Sequence, residues 1–230
     1  MKRSNIAMLA VCLLLIPLTL YAGMQLPGRS YYITGTAIII ELMIPFFMAF
    51  EGRRPQAREL VILAVMCALA VVARVALPIP QFKAIYAIIM LTGIAFGPEA
   101  GFMVGAMAAF VSNFFYGQGP YTPWQMFAYG LGGMLSGFAF AKGRLPRKPW
   151  VMSVFGFLVI VLCIGPLLDA TSLFLGFVAV NENTFAAVFV PGFVVNCIQG
   201  GCAVLVMLLL GKPLLDKLDR IKLKYGVMDY

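Results

Sequence analysis

Three ionisable side chains, Glu41, Arg74 and Asp169, interrupt long apolar runs. In hydrocarbon each is costly unless it is paired or faces water. Glu41 lies near the middle of its run. Arg74 is near the end of its own and could snorkel, and Asp169 could pair with it. Three isolated charges do not make a proton relay, although an ion-coupled carrier working alone would have to use them. A second constellation is denser: Ser112-Asn113-Phe114-Phe115-Tyr116-Gly117-Gln118-Gly119-Pro120-Tyr121-Thr122-Pro123-Trp124-Gln125. Aromatic rings offer broad apolar contact with a polar edge, and amides offer both donors and acceptors. Asn113, Tyr116, Gln118, Tyr121, Trp124 and Gln125 are therefore candidate binding residues. Gln81 and Lys83, with Asn181 and Asn183, lie on connections that could close the same mouth.

The absences are as informative. There is no histidine, so no His-based metal site, His general base or Ser-His-Asp triad is available. Cys12, Cys67, Cys163, Cys197 and Cys202 all sit in apolar runs without a C-x-x-C. They read as small buried hydrophobes, with no metal site expected. No recognisable acid, base and nucleophile set marks an enzyme, and no catalytic residue is assigned. Gly211-Lys212 is followed by Pro213 rather than Ser or Thr, so the chain has no P-loop with which to hydrolyse ATP.

The elements that must position these residues follow from composition. Of 230 residues, 62% are hydrophobic and 11% charged, and mean hydropathy is +0.96. A soluble domain carries about 25% charged residues, so lipid is the solvent here. Apolar runs occur at Ile6–Ala22, Thr34–Phe50, Leu60–Leu77, Ala84–Phe96, Ala100–Phe115, Trp124–Phe140, Val151–Val180 and Phe185–Leu210. The first reads as a retained helix rather than a signal peptide. Ala84–Phe96 covers only about 20 Å as a helix, and reads either as a short span or as half of a re-entrant hairpin. The expected fold is all-α, a polytopic membrane bundle.

Fourteen of the 17 Lys and Arg fall on alternate connections: Lys2 and Arg3; Arg53, Arg54 and Arg58; Lys142, Arg144, Arg147 and Lys148; and five from Lys212 to Lys224. Lys and Arg resist translocation, which predicts that this side and both termini are cytoplasmic. The net charge of +8 is thereby topogenic, and no nucleic-acid partner is expected. The outer connections, Gly23–Ile33, Pro78–Lys83, Tyr116–Pro123 and Asn181–Thr184, are too short to hold a soluble domain. The tail Lys212–Tyr230 carries Leu214, Leu218, Ile221 and Tyr225 at helical spacing opposite basic residues. That pattern predicts an amphipathic helix on the inner leaflet or against a cytoplasmic partner.

Small residues recur every fourth position: Gly97, Gly101, Gly105 and Ala109; Gly133, Gly137 and Ala141; Ala64 and Ala68. Such stripes let backbones approach closely. They serve either packing within the bundle or a sliding face against another membrane subunit.

Phe82-Lys83, Phe96-Gly97-Pro98-Glu99-Ala100-Gly101-Phe102, Ser112-Asn113-Phe114-Phe115, Gly117-Gln118-Gly119-Pro120 and Thr122-Pro123-Trp124-Gln125-Met126 resemble an S component of energy-coupling factor (ECF) transporters. These are the substrate-binding subunits of bacterial vitamin importers. Within the group the chain looks most like the cobalamin (vitamin B12) branch. The resemblance implies a six-helix core over residues 58–211; the sequence departs from the simplest family plan by two additional N-terminal apolar helices in residues 1–57, and the tail, residues 212–230, follows the core. It implies location in the bacterial cytoplasmic membrane and docking of Ala64 and Ala68, as an A-x-x-x-A pair, on a transmembrane scaffold subunit. It also implies two cytoplasmic ATPase subunits that use ATP and Mg, and an S component that topples to carry its vitamin inward. Cobalamin would enter as transported substrate, the chain having no cofactor of its own. Its corrin amides would pair with Asn and Gln, its flat ring with Tyr, Phe and Trp, and its phosphodiester with Lys83 or Arg74. Another vitamin or precursor is the nearby alternative.

Overall fold

Helix is the only regular structure among the described residues of the computed structural model, which are 11–15, 18–19, 21–22, 30–52, 56–76, 79–176 and 181–226. After one π-helical turn at Val11–Leu15 come α1 (Ser30–Gly52), α2 (Ala57–Val75), α3 (Ile85–Phe96), α4 (Pro98–Tyr116), α5 (Thr122–Phe140), α6 (Pro149–Val159), α7 (Gly165–Gly176), α8 (Glu182–Val206) and α9 (Lys212–Tyr225). The chain folds as an all-α membrane helical bundle. Of the expected first span, Ile6–Ala22, residues 6–10, 16–17 and 20 lie outside the described residues.

Two pairs of helices run on as single rods. π-Helical turns at Ile160–Ile164 and Met207–Gly211 join α6 to α7 and α8 to α9. Each lies just before a proline, Pro166 or Pro213. A proline lacks the N–H for the helical bond and its ring collides with the carbonyl four residues back. Widening that turn relieves the collision without breaking the rod. The rods Pro149–Leu175 and Glu182–Lys224, with Ile33–Gly52, are long and apolar enough to cross a membrane. The 19-residue α2, α4 and α5 each reach about 28 Å. They turn polar and small residues inward, among them Ser112, Asn113, Ser136 and Gly133.

The short run at Ala84–Phe96 resolves as the 12-residue α3, every residue of which is buried. Enclosed by protein, it does not have to match the hydrocarbon thickness by itself. It descends towards the basic end of the bundle, where Arg147 Nη2 donates to the Ile94 carbonyl at 3.0 Å. The chain then turns at Gly97, with φ of 95°, a conformation that favours glycine, and α4 climbs back.

Both glycine stripes pack within the bundle. A Cβ on Gly101 would lie 2.5 Å from the Gly133 carbonyl oxygen, and one on Gly133 would lie 2.3 Å from the Gly101 oxygen. Gly93 of α3 meets the same point of α5, at 2.0 Å. Three helix backbones thus converge on one spot, which only glycine permits. Ala64 and Ala68 differ, since both are exposed on α2.

The tail forms the expected amphipathic helix but is placed differently. α9 docks on the basic end of its own bundle, burying Leu215 and Leu218. Arg147 Nη1 lies 3.3 Å from Asp219. Continuity with α8 decides this, because a helix extending a transmembrane rod cannot also lie flat on the leaflet. Of the cysteines, Cys202 is buried, and Cys67, Cys163 and Cys197 are half-buried and free.

Candidate binding site

At the end of the bundle opposite Arg147 and α9, a cavity of about 510 Å³ opens between α2, α4, α5 and α7. Its lining includes Arg74 from α2, Asn113 and Tyr116 from α4, and Tyr121 and Gln125 at the start of α5. The opposite wall is α7, through Leu168, Thr171, Ser172 and Leu175. That volume falls within the range of small-molecule sites, about 300–1,000 Å³.

Asn113 is the hub. It is fully buried, so its amide must be satisfied by protein. Its Oδ1 accepts from Arg74 Nη1 at 2.9 Å. Its Nδ2 donates to Gln125 Oε1 at 2.8 Å and to Thr122 Oγ1 at 3.3 Å. With its oxygen engaged, Gln125 offers amide donors to the cavity it lines. Thr122 donates on to Gln118 Oε1 at 2.9 Å, and Gln118 Nε2 donates to the Phe110 carbonyl at 2.8 Å. Tyr121 donates to the Gly117 carbonyl at 2.6 Å. The Gly117–Tyr121 turn is thus tied to both helices that it joins.

Arg74 is 9% exposed and does not snorkel. Its Nη1 also donates to Ser112. The guanidinium carbon lies 4.8 Å from the Tyr116 ring centroid and 5.6 Å from that of Tyr129, both within cation–π range. Beneath it Tyr86, in the first turn of α3, donates to the Tyr129 hydroxyl at 3.3 Å. Tyr116 donates to the Arg74 carbonyl at 3.0 Å and accepts from Lys83 Nζ at 3.3 Å, which brings Lys83 to the rim.

Other sequence candidates lie elsewhere. The pairing of Asp169 with Arg74 is not formed: Asp169 accepts from Asn196 Nδ2 at 2.8 Å. Gly192 stands opposite the Asp169 carboxylate and Gly165 opposite the Asn196 amide, with no room for a Cβ at either, so this bond clamps α7 to α8. Glu41 accepts from Thr19 near the N-terminus. The three intramembrane charges thus occupy three separate environments. Gln81, at φ of 61°, accepts from Gln199 of α8 at 3.3 Å. Asn181 caps α8 through a reciprocal pair of bonds with Thr184, and Asn183 is exposed nearby. None of these lines the cavity.

Trp124 also turns away. Its Nε1 donates to Thr36 of α1 at 3.2 Å, and its ring lies 5.7 Å from that of Phe174. Trp124 therefore holds α1 against α5. Trp124→Ala should cost about 3 kcal/mol, as for other large buried aromatics, while leaving ligand affinity unchanged. Thermal unfolding in detergent, run beside a binding titration, checks both halves.

Sequence reasoning missed the α7 wall, the buried Tyr86–Tyr129 pair and Asn196. The wall had a signal, since Leu168, Thr171, Ser172 and Leu175 recur at the spacing of one helix face. The tyrosine pair had none, because two tyrosines 43 residues apart meet only through the fold.

Residues 55–216 match the family model described as "ECF-type riboflavin transporter, S component". No curated protein and no solved structure matches the chain.

Proposed function

The chain belongs to the S-component family of ECF-type riboflavin transporters, and from that premise we propose that it captures a riboflavin-class vitamin in the Arg74–Asn113 cavity for import by an ECF complex. The family is one of transporter subunits rather than enzymes. The observation that carries the reading is the cavity itself: it sits opposite the basic end of the bundle and faces outward if Lys and Arg mark the cytoplasm.

A flavin suits what lines it. The flat tricyclic ring matches Tyr116 and Tyr121, and its pyrimidine edge alternates carbonyls with an N–H. Gln125 supplies donors for the carbonyls. Thr171 and Ser172 donate their own hydroxyl protons to the Leu167 and Leu168 carbonyls, so their oxygens remain as acceptors for the N–H. Cobalamin, which the sequence motifs suggested, is the less favoured cargo. Its corrin and nucleotide loop are much larger than a flavin, the cavity is about 510 Å³, and the matched family is that of riboflavin.

With no P-loop of its own, the chain depends on a scaffold and two ATPase subunits. Ala64 and Ala68, exposed on α2, are the docking points, and the chain would topple in the assembled complex to carry the bound vitamin inward. Direct titration of the detergent-purified protein with riboflavin, followed by quenching of flavin fluorescence, tests the cargo. Asn113→Ala should weaken binding at least about tenfold, the scale of a lost hydrogen bond to a charged group, while Arg74 is left without its amide partner. Tight binding of cobalamin without riboflavin would overturn the cargo. Uptake by the chain alone, driven by a proton or sodium gradient, would overturn the mechanism.

A further inference from the structure

Arg74 carries a full charge into a bundle whose solvent is lipid, and what surrounds it is neutral. Among the described residues only its Nη1 is engaged, by Ser112 and Asn113. The rings of Tyr116 and Tyr129 and the C-terminal turn of α2 provide partial negative charge, worth about 1 kcal/mol apiece. No carboxylate among the described residues forms an ion pair with it. The nearby acid, Asp169, is turned to Asn196, and no acidic residue lines the cavity. A buried charge left without a counter-charge is costly, and in membrane proteins such a group characteristically marks a substrate path. The guanidinium and the Gln125 amide nitrogen both present N–H groups at this cavity.

We infer that the substrate of this site is anionic, with a phosphate or carboxylate seated on Arg74 as the missing counter-charge. The inference rests on the cavity being the vitamin site, as proposed above, but adds a requirement that riboflavin, which is neutral, does not meet. The planar guanidinium can bind either group through two parallel N–H bonds. Lys83 would attract the anion at the mouth, and Arg74 would hold it at depth.

Matched ligand pairs that differ in one charged group test this on the full-length protein: riboflavin against riboflavin 5′-phosphate, and pantothenol against pantothenate. The expected result is that the anionic member of a pair binds at least about tenfold more tightly than the neutral one. Arg74→Gln should erase that preference, and Arg74→Lys should keep part of it. The wild-type ratio alone is informative, so the test survives a Gln variant that fails to fold. Preference for pantothenate with no flavin bound would support the anion requirement while overturning the riboflavin-class reading. Riboflavin bound as tightly as its phosphate would overturn the anion requirement and leave that reading intact. Binding of no member of the panel would overturn both.

Discussion

Gly133→Val should destabilise the folded bundle by about 3 kcal/mol or more. The added Cβ would lie 2.3 Å from the Gly101 carbonyl oxygen and 2.9 Å from the Ile89 side chain. The first obstacle is backbone in the middle of a helix, which cannot swing aside as a side-chain tip can. Relief requires α4 and α5 to separate, and α3 contacts the same point through Gly93. Overpacking a well-filled core costs about 1–3 kcal/mol, and prising apart three helices belongs at or above the top of that range. Stability of most proteins is only about 5–15 kcal/mol in total. Thermal unfolding in detergent should show a clearly lowered midpoint, and size-exclusion chromatography more aggregate than the wild type. The control is Gly201→Ala, where a Cβ meets nothing within 4 Å; relief of glycine's helix penalty there should leave the protein unchanged or more stable by about 0.5–1 kcal/mol. A Gly133→Val protein that melts with the wild type would show that the helices are not in backbone contact at this point.

Placing tryptophan at Ala64 or Ala68 should reduce uptake to background while leaving vitamin binding intact. Both alanines line an apolar groove of about 600 Å³ on the outside of the bundle, between α2, the α4 face at Met103 and Met107, and Phe50 at the end of α1. They are far enough down α2 from Arg74, by six and ten residues, for the cavity to be undisturbed. Without a hydrophobic drive in lipid, membrane helices associate by close packing over small residues, and an indole would hold a scaffold helix off. Co-purification with the scaffold and ATPase subunits measures assembly, and fluorescence titration measures binding. Val190→Trp, at a site on α8 that is 67% exposed, controls for bulk in the bilayer and should transport normally. Normal assembly of both alanine variants would move the docking face elsewhere.

The candidate site was legible in part. Asn113, Tyr116, Tyr121 and Gln125 are close in sequence because one helix–turn–helix carries them, so local reading found them together. Arg74 was found as an oddity, a charge in an apolar run, but its partners Ser112 and Asn113 lie 38 and 39 residues away. Nothing local pairs them. Trp124 shows the converse: its neighbour Gln125 faces the cavity, but a helix turns about 100° per residue, which aims Trp124 at α1.

Composition determined that lipid is the solvent, and the length of the apolar runs determined that helices cross it, because each such segment then satisfies its own backbone. Hydropathy marked where the helices fall along the chain, and Gly211-Lys212-Pro213 does not complete a P-loop. Tertiary structure decided which small-residue stripe is interior and which is exposed, where the tail docks, and that Asp169 belongs to Asn196. Those outcomes depend on how far each helix is rotated about its axis and which neighbour it meets. Rotation is set by packing among helices distant in sequence, where every apolar face looks alike to lipid.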